Sequence, residues 1–174
     1  MSRGFGLWLV SAALGAPGNV QAQVIATDVP DVVARESALR LTAMSRPARI
    51  YATNCQGCHG HTGVSVAEIP PLAGRIGYFA RVPDGRSYLV QVPNVALNPS
   101  SDQDIADVLN WVLLTFSREQ LPSDFQPYTA TEVSTLRSAR IDAAALRPRI
   151  VAELVAAGQI PSPDVLAIAP APLH

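Results

Sequence analysis

Lysine is absent from this 174-residue chain: its basic residues, 13 in all, are arginine, set against 14 acidic ones. With a net charge of −1 there is no clustered basic surface of the kind a nucleic acid requires, so no nucleic-acid partner is expected. Any positive docking surface must be built from guanidinium groups. Charge is sparse as a whole, 16% of residues against 48% hydrophobic, which is the balance of a globular chain. Long apolar runs are missing as well. The longest, Phe5 to Ala16, is about 12 residues where a membrane-spanning helix needs roughly 20, so no span is expected in the mature chain. Cysteine is limited to two residues, too few for a structural zinc site with four ligands when no second pair is present. There is no internal repeat, no glycine-rich phosphate loop and no Ser-His-Asp grouping.

The N-terminus has the form of an export signal. Arg3 supplies the positive start, "FGLWLVSAALGA" the apolar run, and "VQA" at 20–22 a small-residue cleavage site. An uncleaved amphipathic anchor is the alternative. Cleavage near Ala22 leaves a mature protein in the periplasm, an oxidising compartment where two cysteines would ordinarily suggest a disulfide.

The two cysteines are placed too specifically for that. They stand in "NCQGCHGH", residues 54–61, with Cys55 and Cys58 three positions apart and His59 directly after the second. C-x-x-C-H is the attachment pattern of haem c. Each thiol can add across one vinyl group of the porphyrin, and the adjoining histidine can then offer an imidazole nitrogen to the iron as proximal ligand. A thioredoxin-like redox pair also uses C-x-x-C but expects a βαβ context, which is not seen here. A plain disulfide leaves His59 unexplained.

The flanks of the motif resemble the class I cytochrome c family over about residues 45–117. Tyr51 stands four positions before Cys55, where that family has an aromatic residue, and Ser45 with Pro47 marks a helix start ahead of it. "HGHTGVSVAEIPPLAGRIG" follows the motif with Gly60, Gly63, Pro70, Pro71 and Leu72. The resemblance implies that Pro71 or Pro70 receives the proton on the second nitrogen of His59, with Leu72 packing beside it. "SSDQDIADVLNWVLLTF" matches the closing helix of the family. Ser100 or Ser101 can cap it, and Ile105, Val108, Leu109, Val112 and Phe116 fall on one face, with Trp111 a partly buried aromatic beside them.

One feature of the family is missing. The loop before the last helix, "VQVPNVALNPSSD" at 90–102, is where class I members carry the methionine that closes the second axial position, and it contains none. Met44 is the single methionine of the mature chain and lies upstream of the motif. Its ordinary role is a core filler, and it reaches the iron only through wrapping of the segment before it. His61 is within about 7 Å of chain from His59 and cannot pass round a pinned porphyrin, so it is expected to face solvent. His174 ends a proline-rich tail whose ordering would be costly. The remaining arrangement leaves the far side walled by Val95 and Ala96, with Asn94 or water near the iron.

Residues 118–174 extend beyond the family core. Thr129 with Glu132 forms a capping box for a short helix, and "DAAALRPRIVAELVAAGQ" reads as a second helix ended by Gly158, with Pro148 near its start or kinking it. Ile150, Leu154 and Val155 are expected to pack this helix on the core, with a partner surface as the alternative. The expected fold is therefore all-α: signal peptide 1–22, N-terminal extension 23–44, cytochrome c-like domain 45–117 wrapped round one haem c, and a C-terminal helical extension with a proline-rich tail, 118–174. The resemblance implies an electron carrier, not an enzyme, passing single electrons from a periplasmic dehydrogenase to a cytochrome or oxidase. The missing methionine leaves alternatives: a haem protein with an open position for small-ligand sensing or peroxide chemistry, or a haem subunit of a larger dehydrogenase complex. Arg86 is the nearest candidate for a peroxide-activating cation.

Overall fold

The computed structural model describes residues 31–65, 69–139 and 142–167; the expected signal peptide and His174 lie outside these. Every regular element among the described residues is helical. Helix α1 (Asp31–Ala43) leads to α2 (Arg46–Asn54) across a short break. Ser45 caps α2, its hydroxyl accepting from the Ala48 amide at 3.4 Å, and Pro47 lies in the first turn, where a missing N–H costs nothing. One further turn, α3 (Gln56–His59), carries Cys58 and His59 and stops at Gly60, whose φ of 67° is comfortable only for glycine.

The segment between the motif and the last family helix is more helical than its composition suggests. It contains α4 (Ile76–Phe79), α5 (Pro83–Gln91) and α6 (Pro93–Ala96). Both α5 and α6 open with a Val-Pro step, and the proline sits at the first helical position with its φ already set. Helix α7 (Asp102–Phe116) is capped by Ser101, the second of the two serines proposed, with Asp102 and Asp104 in the first turn against the positive helix end. Asp104 also takes a bidentate bond from Arg46 (2.6 and 2.9 Å), which joins the starts of α2 and α7.

Helices α2 and α7 pack together. Their contact carries an aromatic trio, with ring centroids 5.3 Å apart for Tyr51 and Trp111, 5.2 Å for Tyr51 and Phe116, and 5.5 Å for Trp111 and Phe116. Ile105, Val108, Leu109 and Val112 are buried, as their spacing requires, while Phe116 and Trp111 are half-buried. Gly77, at the start of α4, presses on the end of α7. Its amide donates to Ser117 Oγ at 2.9 Å, and a Cβ there would stand 2.5 Å from the Ser117 carbonyl oxygen.

A 3-10 turn (Arg118–Gln120) and an irregular stretch lead to α8 (Ala130–Ser138), α9 (Ala143–Ala156) and a last 3-10 turn (Pro163–Leu166). Thr129 caps α8 as expected, but the reciprocal half of the capping box is absent. The Glu132 carboxylate turns instead to Arg86, at 3.0 and 2.9 Å, because a charged partner on α5 outcompetes a backbone amide. Pro148 lies inside α9, and Gly158 closes it with φ 65°. Val133, Ile150, Leu154, Ile160 and Leu166 are almost fully buried and belong to the same apolar cluster as Tyr51 and Leu113, while Val155 packs at its edge. The core therefore runs without a break from the motif helix into the extension.

Candidate functional site

The packing leaves an apolar cavity of about 370 Å³ between α2, α5, α7 and the last 3-10 turn. Its rim carries Cys55, Cys58 and His59; its walls include Leu72, Leu89, Leu109 and Val112. Short helices pose the motif. The Cys55 amide closes α2 on the Tyr51 carbonyl (2.9 Å), and the His59 amide closes the next turn on the Cys55 carbonyl (3.0 Å). Tyr51, four residues before the first cysteine, reaches forward with its hydroxyl to the Gly60 carbonyl at 2.6 Å and so ties both ends of the motif together. Both thiols are free, Cys55 half-buried and Cys58 exposed. Burial pushes the Cys55 thiol above its ordinary range, so it stays protonated until it reacts.

His59 is held by its Nδ1 nitrogen. That atom lies 3.2 Å from the Pro70 carbonyl oxygen and 3.2 Å from Ser65 Oγ, and Ser65 itself donates to the same carbonyl at 2.7 Å. A carbonyl only accepts, so Nδ1 carries the proton and the lone pair is left on Nε2. Burial also lowers the imidazole's pKa, with the Pro70 bond opposing in part, which keeps the ring neutral as a ligand must be. Of the two prolines the resemblance offered, Pro70 makes this contact; Pro71, like Leu72, is part of the cavity wall. The difference is one of chain direction: the Gly63 carbonyl accepts from both Leu72 and Ala73 and folds the loop so that carbonyl 70 faces the motif. Ser65 carried no sequence signal of its own.

The wall facing α6 consists of Val92, Pro93, Asn94, Val95 and Asn98; Ala96 is not part of it. Met44 sits at the α1–α2 junction, its carbonyl bonded to Arg49 (2.6 Å), and is not among the lining residues. His61 is exposed on its loop. Among the described residues that line the cavity, His59 is thus the one imidazole, and there is no methionine. No grouping of three or more His, Cys, Asp or Glu suited to a metal ion occurs among the described residues.

Two arginines line this apolar space, and sequence reasoning had missed both. Arg75 donates to the Ala167 carbonyl (2.8 Å), and Arg147 donates to the Leu166 carbonyl (2.8 Å) and to the Tyr88 hydroxyl (3.3 Å), with its guanidinium 5.0 Å from the centre of the Phe79 ring. Two successive carbonyls, at the end of the last 3-10 turn and just after it, thus brace two cations that meet no carboxylate among the described residues. Arg86, by contrast, is spent elsewhere. It pairs with Glu132, donates to the Gln126 carbonyl (2.8 Å) and lies 4.1 Å over the Tyr128 ring, away from the cavity. A nearby carboxylate and ring hold it between α5 and α8, so it is not the cavity cation that its sequence position suggested. The donor set fits a flat, largely apolar group with two reactive points for thiols, a metal centre for an imidazole, and an anionic edge.

No protein-family model matches the chain. It is 30% identical over 118 residues to a cytochrome c-552 of Thermus thermophilus, covering 57% of this chain and 79% of that protein. It is also 30% identical over 113 residues to a second Thermus thermophilus cytochrome c-552, covering 54% of this chain and 86% of the relative.

Proposed function

The chain belongs to the c-type cytochromes, electron carriers with covalently bound haem c, and from that premise we propose that Cys55 and Cys58 form the two thioethers and His59 is the proximal iron ligand of a single haem. The observation that carries this reading is the pairing of His59 Nδ1 with the Pro70 carbonyl at 3.2 Å, on the same rim as two free thiols. Leu72 and Pro71 would pack beside the ring, and Arg75 and Arg147, which line the same cavity, would meet its propionate carboxylates. When bound, the haem supplies an iron couple that takes up and releases one electron. The chain contributes a neutral imidazole of fixed tautomer, an apolar enclosure that limits water, and two braced cations.

The protein acts in the periplasm after cleavage of its signal peptide near Ala22, taking electrons from a dehydrogenase and passing them to a cytochrome or an oxidase. No helix among the described residues is long and apolar enough to cross a membrane. Peroxide chemistry is the weaker reading, since Arg86 is bound to Glu132 and no second imidazole is found among the described residues that line the cavity. The haem-subunit reading is likewise the weaker one, because α9 buries Ile150 and Leu154 in its own core.

The test is to express the chain with a haem c maturation system and extract it with acidified acetone. Haem that stays with the protein, and is lost in a Cys55→Ala, Cys58→Ala double variant, supports the assignment. Haem that stays bound in the double variant overturns it.

A further inference from the structure

The cavity wall formed by α6 and the run into α7 is held from outside itself. Val92, Asn94, Val95 and Asn98 present this wall, and its internal bonds are local, from the Leu97 amide to the Pro93 carbonyl and from Asn98 to Val95. The next carbonyls along the run are collected by one side chain, Arg137, near the end of α8. Its Nε donates to Ala96 O (3.1 Å), Nη1 to Ser100 O (3.2 Å) and Nη2 to Asn98 O, while Nη1 also meets the Asp102 carboxylate at 2.8 Å. A guanidinium offers five donors in one plane, and here four bonds go to a single stretch of seven residues, 96–102. The tie is doubled by Gln91, just before the wall, whose Nε2 donates to the Leu136 and Ala139 carbonyls at 2.8 and 3.0 Å. Arg137 itself does not line the cavity.

We propose that Arg137 is the positioning residue of this wall: from the C-terminal extension it governs how readily residues 92–101 swing aside, and so how readily a small exogenous ligand reaches the iron. The wall carries no methionine or histidine of its own to tie it to the iron. The clasp supplies the missing restraint. This inference rests on the haem assignment above.

The test uses the full-length, haem-loaded protein in its ferric form, with imidazole as probe in a stopped-flow experiment. Arg137→Gln is expected to speed association by about tenfold, the effect of losing roughly one charge-assisted hydrogen bond. Arg137→Lys, which keeps the charge but not the fork, is expected to fall between the two. Arg86→Gln removes a comparable tie between α5 and α8 away from the wall and is expected to leave the rate unchanged. A rate in Arg137→Gln equal to that of the parent, or an equal acceleration in Arg86→Gln, overturns the proposal. If Arg137→Gln does not fold, Asp102→Asn takes its place, and an unchanged rate there counts against the clasp in the same way. If the parent protein retains no haem after extraction, the haem assignment fails instead. Hydrogen exchange at the Leu97 and Asn98 amides, which needs no haem, then decides the clasp: faster exchange in Arg137→Gln supports it, unchanged exchange overturns it.

Discussion

The Nδ1 nitrogen of His59 and the carbonyl oxygen of Pro70 lie 3.2 Å apart, and Ser65 Oγ competes for the same carbonyl at 2.7 Å. Removing the competitor in Ser65→Ala leaves the carbonyl wholly to the imidazole, and His59, as the proposed iron ligand, is expected to become the stronger electron donor to the ferric iron. The reduction potential is expected to fall. A net hydrogen bond of about 1 kcal/mol is equivalent to roughly 40 mV for a one-electron couple and bounds the shift. Potentiometric titration of the haem bands measures it, and a rise would contradict the geometry.

The two braced cations predict a shift of the same sign. With the proposed haem in the cavity that Arg75 and Arg147 line, the two cations would favour the reduced, less positive iron, so Arg75→Gln and Arg147→Gln are each expected to lower the potential. A loss of roughly 1 kcal/mol of charge stabilisation reads as about 40 mV. Because successive carbonyls brace them, at 166 and 167, the double variant is expected to deviate from the sum.

Stability is expected to depend as much on the extension as on the family core. Leu113 on α7 and Leu154 on α9 are both fully buried in one cluster. Leu113→Ala and Leu154→Ala should each cost about 2–5 kcal/mol in urea unfolding, with a single transition. Leu97→Ala, at a site 82% exposed, should change stability by less than about 0.5 kcal/mol. A small effect at Leu154 would mean that the extension folds apart from the rest.

Alkaline unfolding has an identifiable source in Tyr128. Its hydroxyl donates to the Arg86 carbonyl at 3.0 Å, and burial raises its pKa far above the usual 10.0. The unfolded chain ionises this group near its ordinary pKa while the folded chain resists. Stability is therefore fully present below that value and falls as pH rises beyond it. Tyr51, pushed up to about 12 by burial, acts in the same direction. Thermal midpoints measured upward from pH 9 should drop, and less steeply in Tyr128→Phe.

The motif was legible because its chemistry is local. Cys55, Cys58 and His59 lie within five residues, and their spacing alone puts two thiols and an imidazole on one short turn. Ser45, Ser101 and Thr129 were legible as caps for the same reason, since a cap bonds to an amide three residues away. The helical spacing of apolar residues along α7 likewise predicted its buried face. Helices α5 and α6 were not read, because two Val-Pro steps look like loop composition until the prolines are seen at first helical positions.

What the sequence by itself determined is thus the helical class, the C-x-x-C-H spacing and the absence of methionine from the loop at 90–102. Tertiary structure decided the rest. It chose the Pro70 carbonyl over Pro71, drew Arg75 and Arg147 to the cavity from positions 72 residues apart, and gave Arg137 the carbonyls of a loop some 40 residues earlier. Long arginine side chains bond wherever packing leaves unpaired carbonyls, and those positions follow from how α8 and α9 bury their apolar faces rather than from any local pattern.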